Sequence, residues 1–182
     1  MMKRLLTLLL LLLPAGCTGI PEGLDVVDDF SLERYLGTWY EIARLDNSFE
    51  KNFEAVSATY TLKPDGKVRV ENRGYDTKKN RWKSVEGRAK FDGPSDRGAL
   101  KVSFFGPFYA GYNILALDRE EYRWALVSGH DRDLLWILSR SPEMNPELLE
   151  ELRRKSAEFG FASEELRLVD QSERAKGASD GE

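Results

Sequence analysis

"GTWYEIARLD", from Gly37 to Asp46, is the stretch on which the reading of this chain turns. Its aromatic and branched residues favour a strand. The Gly at its start lets a neighbouring backbone come close. Side chains alternate along a strand, so Trp39, Glu41 and Ala43 are expected on one face.

Downstream, short alternating runs recur between turn residues. "EAVSATYTLK" places Val56, Ala58, Tyr60 and Leu62 together. "KVRVENRGYD" does the same for Val68, Val70 and Asn72. "RWKSVEGRAKF" aligns Val85, Gly87, Ala89 and Phe91, and "ALKVSFF" aligns Leu100, Val102 and Phe104. "GYNILALD", "YRWALVSG" and "DLLWILSR" complete eight strands. Turns such as Pro64-Asp65-Gly66 have a mechanism, since Pro presets φ and Gly accepts a positive one. One helix follows. Asn145 suits its cap, Pro146 its first turn and Gly160 the position past its end. Leu148, Leu152 and Phe159 form its apolar stripe. "LRLVDQ" from Leu166 reads as a short last strand. The pattern predicts an all-β fold: an eight-stranded antiparallel up-and-down β-barrel with one C-terminal α-helix packed outside. A two-sheet sandwich is the alternative, and the short hairpin connections count against it.

The 182 residues, 41% of them hydrophobic, suit one domain. Net charge is −4, and removal of residues 1–16 takes Lys3 and Arg4 with it. That balance argues against a nucleic-acid partner. A single cysteine, Cys17, and a single histidine, His130, leave no cysteine-based metal site and no metal constellation. No G-x-S-x-G elbow supports nucleophilic catalysis. No cofactor is expected.

"MMKRLLTLLLLLLPAGC" has a basic start, a short apolar centre and small residues before Cys17, the form of an export signal. "PAGC" resembles the bacterial lipobox, with Pro14 in its aliphatic position. The expected organisation is a signal peptide over 1–16, the lipidated Cys17 and a tether over 17–30, the barrel and helix over 31–171, and a polar tail over 172–182. Thr18 after the cysteine resembles the sorting signal for the outer membrane, with the barrel facing the periplasm.

Gly37-Thr38-Trp39 on the first strand resembles the G-x-W motif of the lipocalins. Asp118 and Tyr122 are similar to the second motif of that family, and Arg140 to the third. "YLGTWYEIARLDNSFEK" and "DLLWILSR" especially resemble the bacterial outer-membrane lipocalins, kin of apolipoprotein D. The resemblance implies that Gly37, Trp39, Asp118, Tyr122 and Arg140 close one end of the barrel. It also implies that function lies inside.

The inward face is then expected to comprise Glu41, Ala43, Val56, Ala58, Tyr60, Val70, Asn72, Val85, Gly87, Ala89, Val102, Phe104 and Tyr112. Small residues such as Ala58, Gly87 and Ala89 leave room for a ligand. Tyr60, Asn72 and Tyr112 are expected nearer the mouth. Burial of Glu41 is expected to raise its pKa. The implied function is a membrane-anchored, non-enzymatic carrier of fatty acids or lysophospholipids. The alternatives are a cavity-based lipid-modifying enzyme and a protein–protein interaction module. "FFGPFYAGY", Phe104 to Tyr112, offers a membrane or homodimer contact if exposed.

Overall fold

The computed structural model of the protein describes residues 18–172; Cys17, the signal-like segment and the remainder of the polar tail lie outside the described residues. Alternating apolar residues form β1 (Gly37–Arg44), β2 (Phe53–Leu62), β3 (Val68–Asp76), β4 (Arg81–Phe91), β5 (Ala99–Ser103), β6 (Ala110–Leu117), β7 (Trp124–Ser128) and β8 (Leu135–Ser139). Each is antiparallel to the next. β8 returns to β1, with Tyr40 opposite Ser139 and Arg44 opposite Trp136. The sheet therefore closes into an eight-stranded barrel, and closure removes the long edges that would invite pairing between chains. The sandwich alternative is excluded by this order.

Two apolar layers hold the molecule. Inside the barrel lie Trp39, Tyr60, Val70, Val102, Ile114, Val127 and Leu138. Outside it, Ile42, Leu115, Leu126 and Ile137 meet Leu152 of α2 (Pro146–Glu158). Strands that are apolar on both faces serve both layers. Leu152 is 1% exposed, and such burial contributes about 1.5–3 kcal/mol. Asn145 caps α2, its Oδ1 accepting from Glu147 N at 2.7 Å. Gly160 follows at φ +79°.

β1 departs from simple alternation. Its register with β8 shifts between Glu41 and Ala43. The extra residue turns Ala43 out into the layer beneath α2 and turns Arg44 in beside Trp136. Ala43, expected in the cavity, is not part of its lining.

Near the mouth, β2 leaves β1 through a bulge at Ala55, which has φ +51°. The gap is bridged by β9 (Arg167–Leu168), which pairs with Ala43 and Arg44. Gln171 Nε2 donates to Glu41 O at 2.7 Å and to Val56 O at 3.1 Å, satisfying backbone that the ladder leaves unpaired.

The segment expected as a tether is docked along the barrel. Asn113 Nδ2 donates to Gly19 O, Val27 N to Ile114 O, and Phe30 N to Asp96 O. Val26, Val27 and Phe30 are buried. Their apolar side chains gain more by packing than a free linker would. A short helix not expected from the sequence, α1 (Leu32–Tyr35), follows; Ser31 caps it by accepting from Arg34 N at 3.4 Å.

Candidate functional site

One end of the barrel is closed. Gly37, at φ +93°, starts β1 where an added Cβ would meet Arg140 Nη1 at 3.3 Å. The Arg140 guanidinium carbon lies 3.9 Å from the Trp39 ring centroid. Its nitrogens donate to Thr38 O at 3.0 Å, Arg34 O at 2.8 Å and Tyr122 O at 3.2 Å. A planar fork over an indole can do this where a point charge cannot. Tyr122 takes φ +58°, and its hydroxyl accepts from Ser31 N at 3.0 Å. Asp118 accepts from Arg123 Nε at 2.9 Å in the adjoining turn.

Directly on this floor sits a cluster of tyrosines. Tyr35 stacks on Trp39 at 4.6 Å, and Trp39 Nε1 donates to Tyr35 O at 2.9 Å. Tyr35 and Tyr112 share a 2.7 Å hydrogen bond between hydroxyls. The rings of Tyr60 and Tyr112 lie 6.0 Å apart. Burial raises the pKa of Tyr35 and Tyr112, and raises that of Tyr60 as well. Tyr60 and Tyr112, expected near the mouth, therefore belong to the floor, because Tyr60 pairs with Gly37 at the start of β1. Tyr35 was absent from the expected site; its signal was the capped turn preceding G-x-W.

Above the floor, register places Ala58, Asn72 and Val85 on the inward face with Trp39. Val56 packs near Gly74, an added Cβ on which would lie 3.2 Å from it. Val70, Ala89, Val102 and Phe104 join the inner layer. Gly87 does not leave empty space. An added Cβ there would lie 2.7 Å from the Phe104 ring, which occupies the room. Val85 faces inward yet is 38% exposed, so the lumen beside β4 is open. Asn72 Oδ1 has no hydrogen-bond partner among the described residues.

Towards the mouth the bulge delivers a buried charge that alternation does not predict. Arg44 is fully buried, and its Nη1 donates to Glu41 Oε1 at 2.6 Å. Its Nη2 donates to Glu50 O at 2.8 Å and Phe53 O at 3.0 Å. Trp136 Nε1 donates to Glu50 Oε2 at 3.0 Å. Burial first, and the Glu50 charge second, push the Glu41 carboxyl up to about 8, although Arg44 opposes both. Burial thus favours the neutral form of Glu41, and Arg44 also has Asp46 Oδ1 3.7 Å from its Nε.

A lipocalin-like domain model matches residues 29–171, which take in the barrel, α2 and β9. This chain belongs to the lipocalin family. Among its relatives, the outer membrane lipoprotein Blc of Escherichia coli strain K12 is 55% identical over 141 residues, 78% of this chain and 79% of that one. The outer membrane lipoprotein Blc of Vibrio cholerae is 46% identical over 170 residues, 93% of this chain and 99% of that one. The solved structure of Per a 4, a major cockroach allergen, superposes with a TM-score of 0.69 at 20% identity, over 86% of this chain and 98% of that one. That last likeness concerns the fold alone. The lipocalin barrel here thus has a floor built by motif residues and an inward face that is partly exposed at Val85.

Proposed function

We propose that this lipocalin is a lipid-anchored carrier at the outer membrane, holding a fatty acid or a lysophospholipid in its lumen. Residues 1–16 serve as the export signal and Cys17 as the acylated residue. One observation carries the reading. An apolar inward face rises from a polar-capped aromatic floor, and on it Val85 keeps 38% of its surface exposed. A narrow apolar space closed at one end suits an acyl chain. The Arg44 guanidinium beside Glu41, whose neutral form burial favours, suits a head group carrying a carboxylate or phosphate. Asn72 Oδ1 offers an acceptor to a hydroxyl. The relatives named outer membrane lipoproteins support the location. The chain has one cysteine, and the anchor uses it, so thiol chemistry in the cavity has no residue to perform it.

The test is native purification, lipid extraction and mass spectrometry. Refilling is then followed by tryptophan fluorescence with a fatty acid and a lysophospholipid. One lipid per barrel with saturable refilling is expected. A barrel that purifies empty and gives no response to either lipid would overturn the proposal.

A further inference from the structure

We propose that the open mouth of the barrel is itself a membrane-docking surface, pressed against a lipid bilayer by the anchor and by three exposed phenylalanines. The loops at the mouth are β1–β2, β3–β4, β5–β6 and β7–β8, since Gly37, Trp39 and Arg140 mark the opposite end. Phe49, on the β1–β2 loop, is 60% exposed; Phe105 and Phe108, on the β5–β6 loop, are 77% and 78% exposed. No other large apolar side chain among the described residues is as exposed, and all three project from one end. Isolated exposed apolar residues are ordinary, but their concentration at one pole of the molecule is not.

The path of the N-terminal segment supplies the independent argument. Gly19 O is held by Asn113 Nδ2 at 2.7 Å, and that nitrogen also donates to Gly129 O on the β7–β8 loop at 2.7 Å. Arg132, on the same loop, donates from Nη2 to Glu22 O at 2.8 Å. The segment then descends to the floor, where Phe30 N meets Asp96 O. Cys17 is two residues before Gly19, so the chain allows at most about 7 Å between their Cα atoms. The 8 residues of β6 span roughly 26 Å. An acyl group on Cys17 therefore holds the mouth to the bilayer and keeps the floor away. The β3–β4 side of the mouth adds exposed Lys78, Lys79 and Arg81, which match anionic head groups. Docked in this way, the lumen exchanges lipid with the bilayer and its ligand does not have to cross water. The proposal rests on the anchored reading of Cys17 given above, but does not depend on which lipid fills the lumen.

The test uses the mature chain from residue 17 carrying Cys17→Ser, so that the loops are measured without the acyl anchor. Vesicles of phosphatidylethanolamine with phosphatidylglycerol are floated with this protein and with a Phe49→Ser/Phe105→Ser/Phe108→Ser variant. The three side chains are exposed, so circular dichroism of the variant should be unchanged. The parent should float, and the triple variant should partition at least about tenfold less. Leu62→Ser, at the floor end, should float like the parent. Omitting phosphatidylglycerol or adding salt should weaken flotation. In the same cysteine-free background, a polarity-sensitive fluorophore on Phe105→Cys should shift to the blue and be quenched by nitroxide lipids, whereas one on Leu62→Cys should not. Equal flotation of parent and triple variant, or equal quenching at the two sites, would overturn the proposal. So would a parent that does not float and is a dimer that the triple substitution makes monomeric, which would assign the surface to a second copy. An empty lumen with intact flotation would remove the carrier reading and leave the docking surface standing.

Discussion

Two side chains show how single residues act here. Arg140 satisfies three backbone carbonyls from separate parts of the chain while covering Trp39. Arg140→Ala removes the cation and leaves those carbonyls without their donor. It should cost about 2–4 kcal/mol, read from urea unfolding, with Arg140→Lys recovering only part. Glu41 acts through its protonation. Its folded pKa, about 8, lies above its ordinary value of 4.5. The folded state therefore holds the proton more tightly. That contribution to stability is fully present below 4.5 and is lost as pH rises through about 8. Unfolding midpoints should fall with rising pH across that window in the parent, and less in Glu41→Gln. Parallel profiles would show that Arg44 holds Glu41 ionised.

At the level of elements, the bulge in β1 decides which charges the interior contains. If the intact strand alternated strictly, Ala43 would face inward and Arg44 would enter the apolar layer beneath α2. An arginine buried there without partners is strongly disfavoured. Deleting Ile42 removes the bulge while leaving Ala43 opposite Ile137 and Arg44 opposite Trp136, so the variant should still unfold cooperatively, at a lower urea midpoint because the Ile42 side chain is lost from beneath α2. Loss of cooperative unfolding in the deletion variant would show that the bulge itself, and not only the facing of Arg44, is required. β9 is short, yet its position matters more than its length. It covers backbone groups of β1 that β2 abandons at the Ala55 bulge.

Across the whole molecule, the barrel has a polarity. Motif residues and tyrosines fill one end, while exposed phenylalanines, basic residues and the exit of the chain towards Cys17 occupy the other. Lumen volume is the property on which the carrier reading depends. Val85→Phe places a larger ring in the open space beside β4. It should weaken binding of an acyl ligand at least about tenfold in fluorescence titration, with stability unchanged or raised. Unchanged affinity would mean that the ligand lies elsewhere.

Alternation and turn residues were enough to determine eight strands, their order and the capped helix, and the resemblance of the G-x-W start to the lipocalins implied the closed end at Trp39 and Arg140. These are local patterns, and each repeats a period or a spacing that the chain states directly. The same rule failed at Ala43 because one inserted residue reverses every side chain beyond it, and nothing in "GTWYEIARLD" marks the insertion. Arg44 was visible there, but its burial depends on the register with β8. Depth was equally hidden: Tyr60 and Tyr112 join the floor through their neighbours around the barrel, and Phe104 fills the place beside Gly87 from just beyond the end of β5. The docked course of residues 19–30 came from hydrogen bonds to β6 and to loops distant in sequence. The sequence thus determined the eight strands, their pairing and α2, but not α1. Tertiary structure alone decided what faces the lumen, at what depth, and which end meets the anchor, because those follow from contacts between residues far apart in the chain.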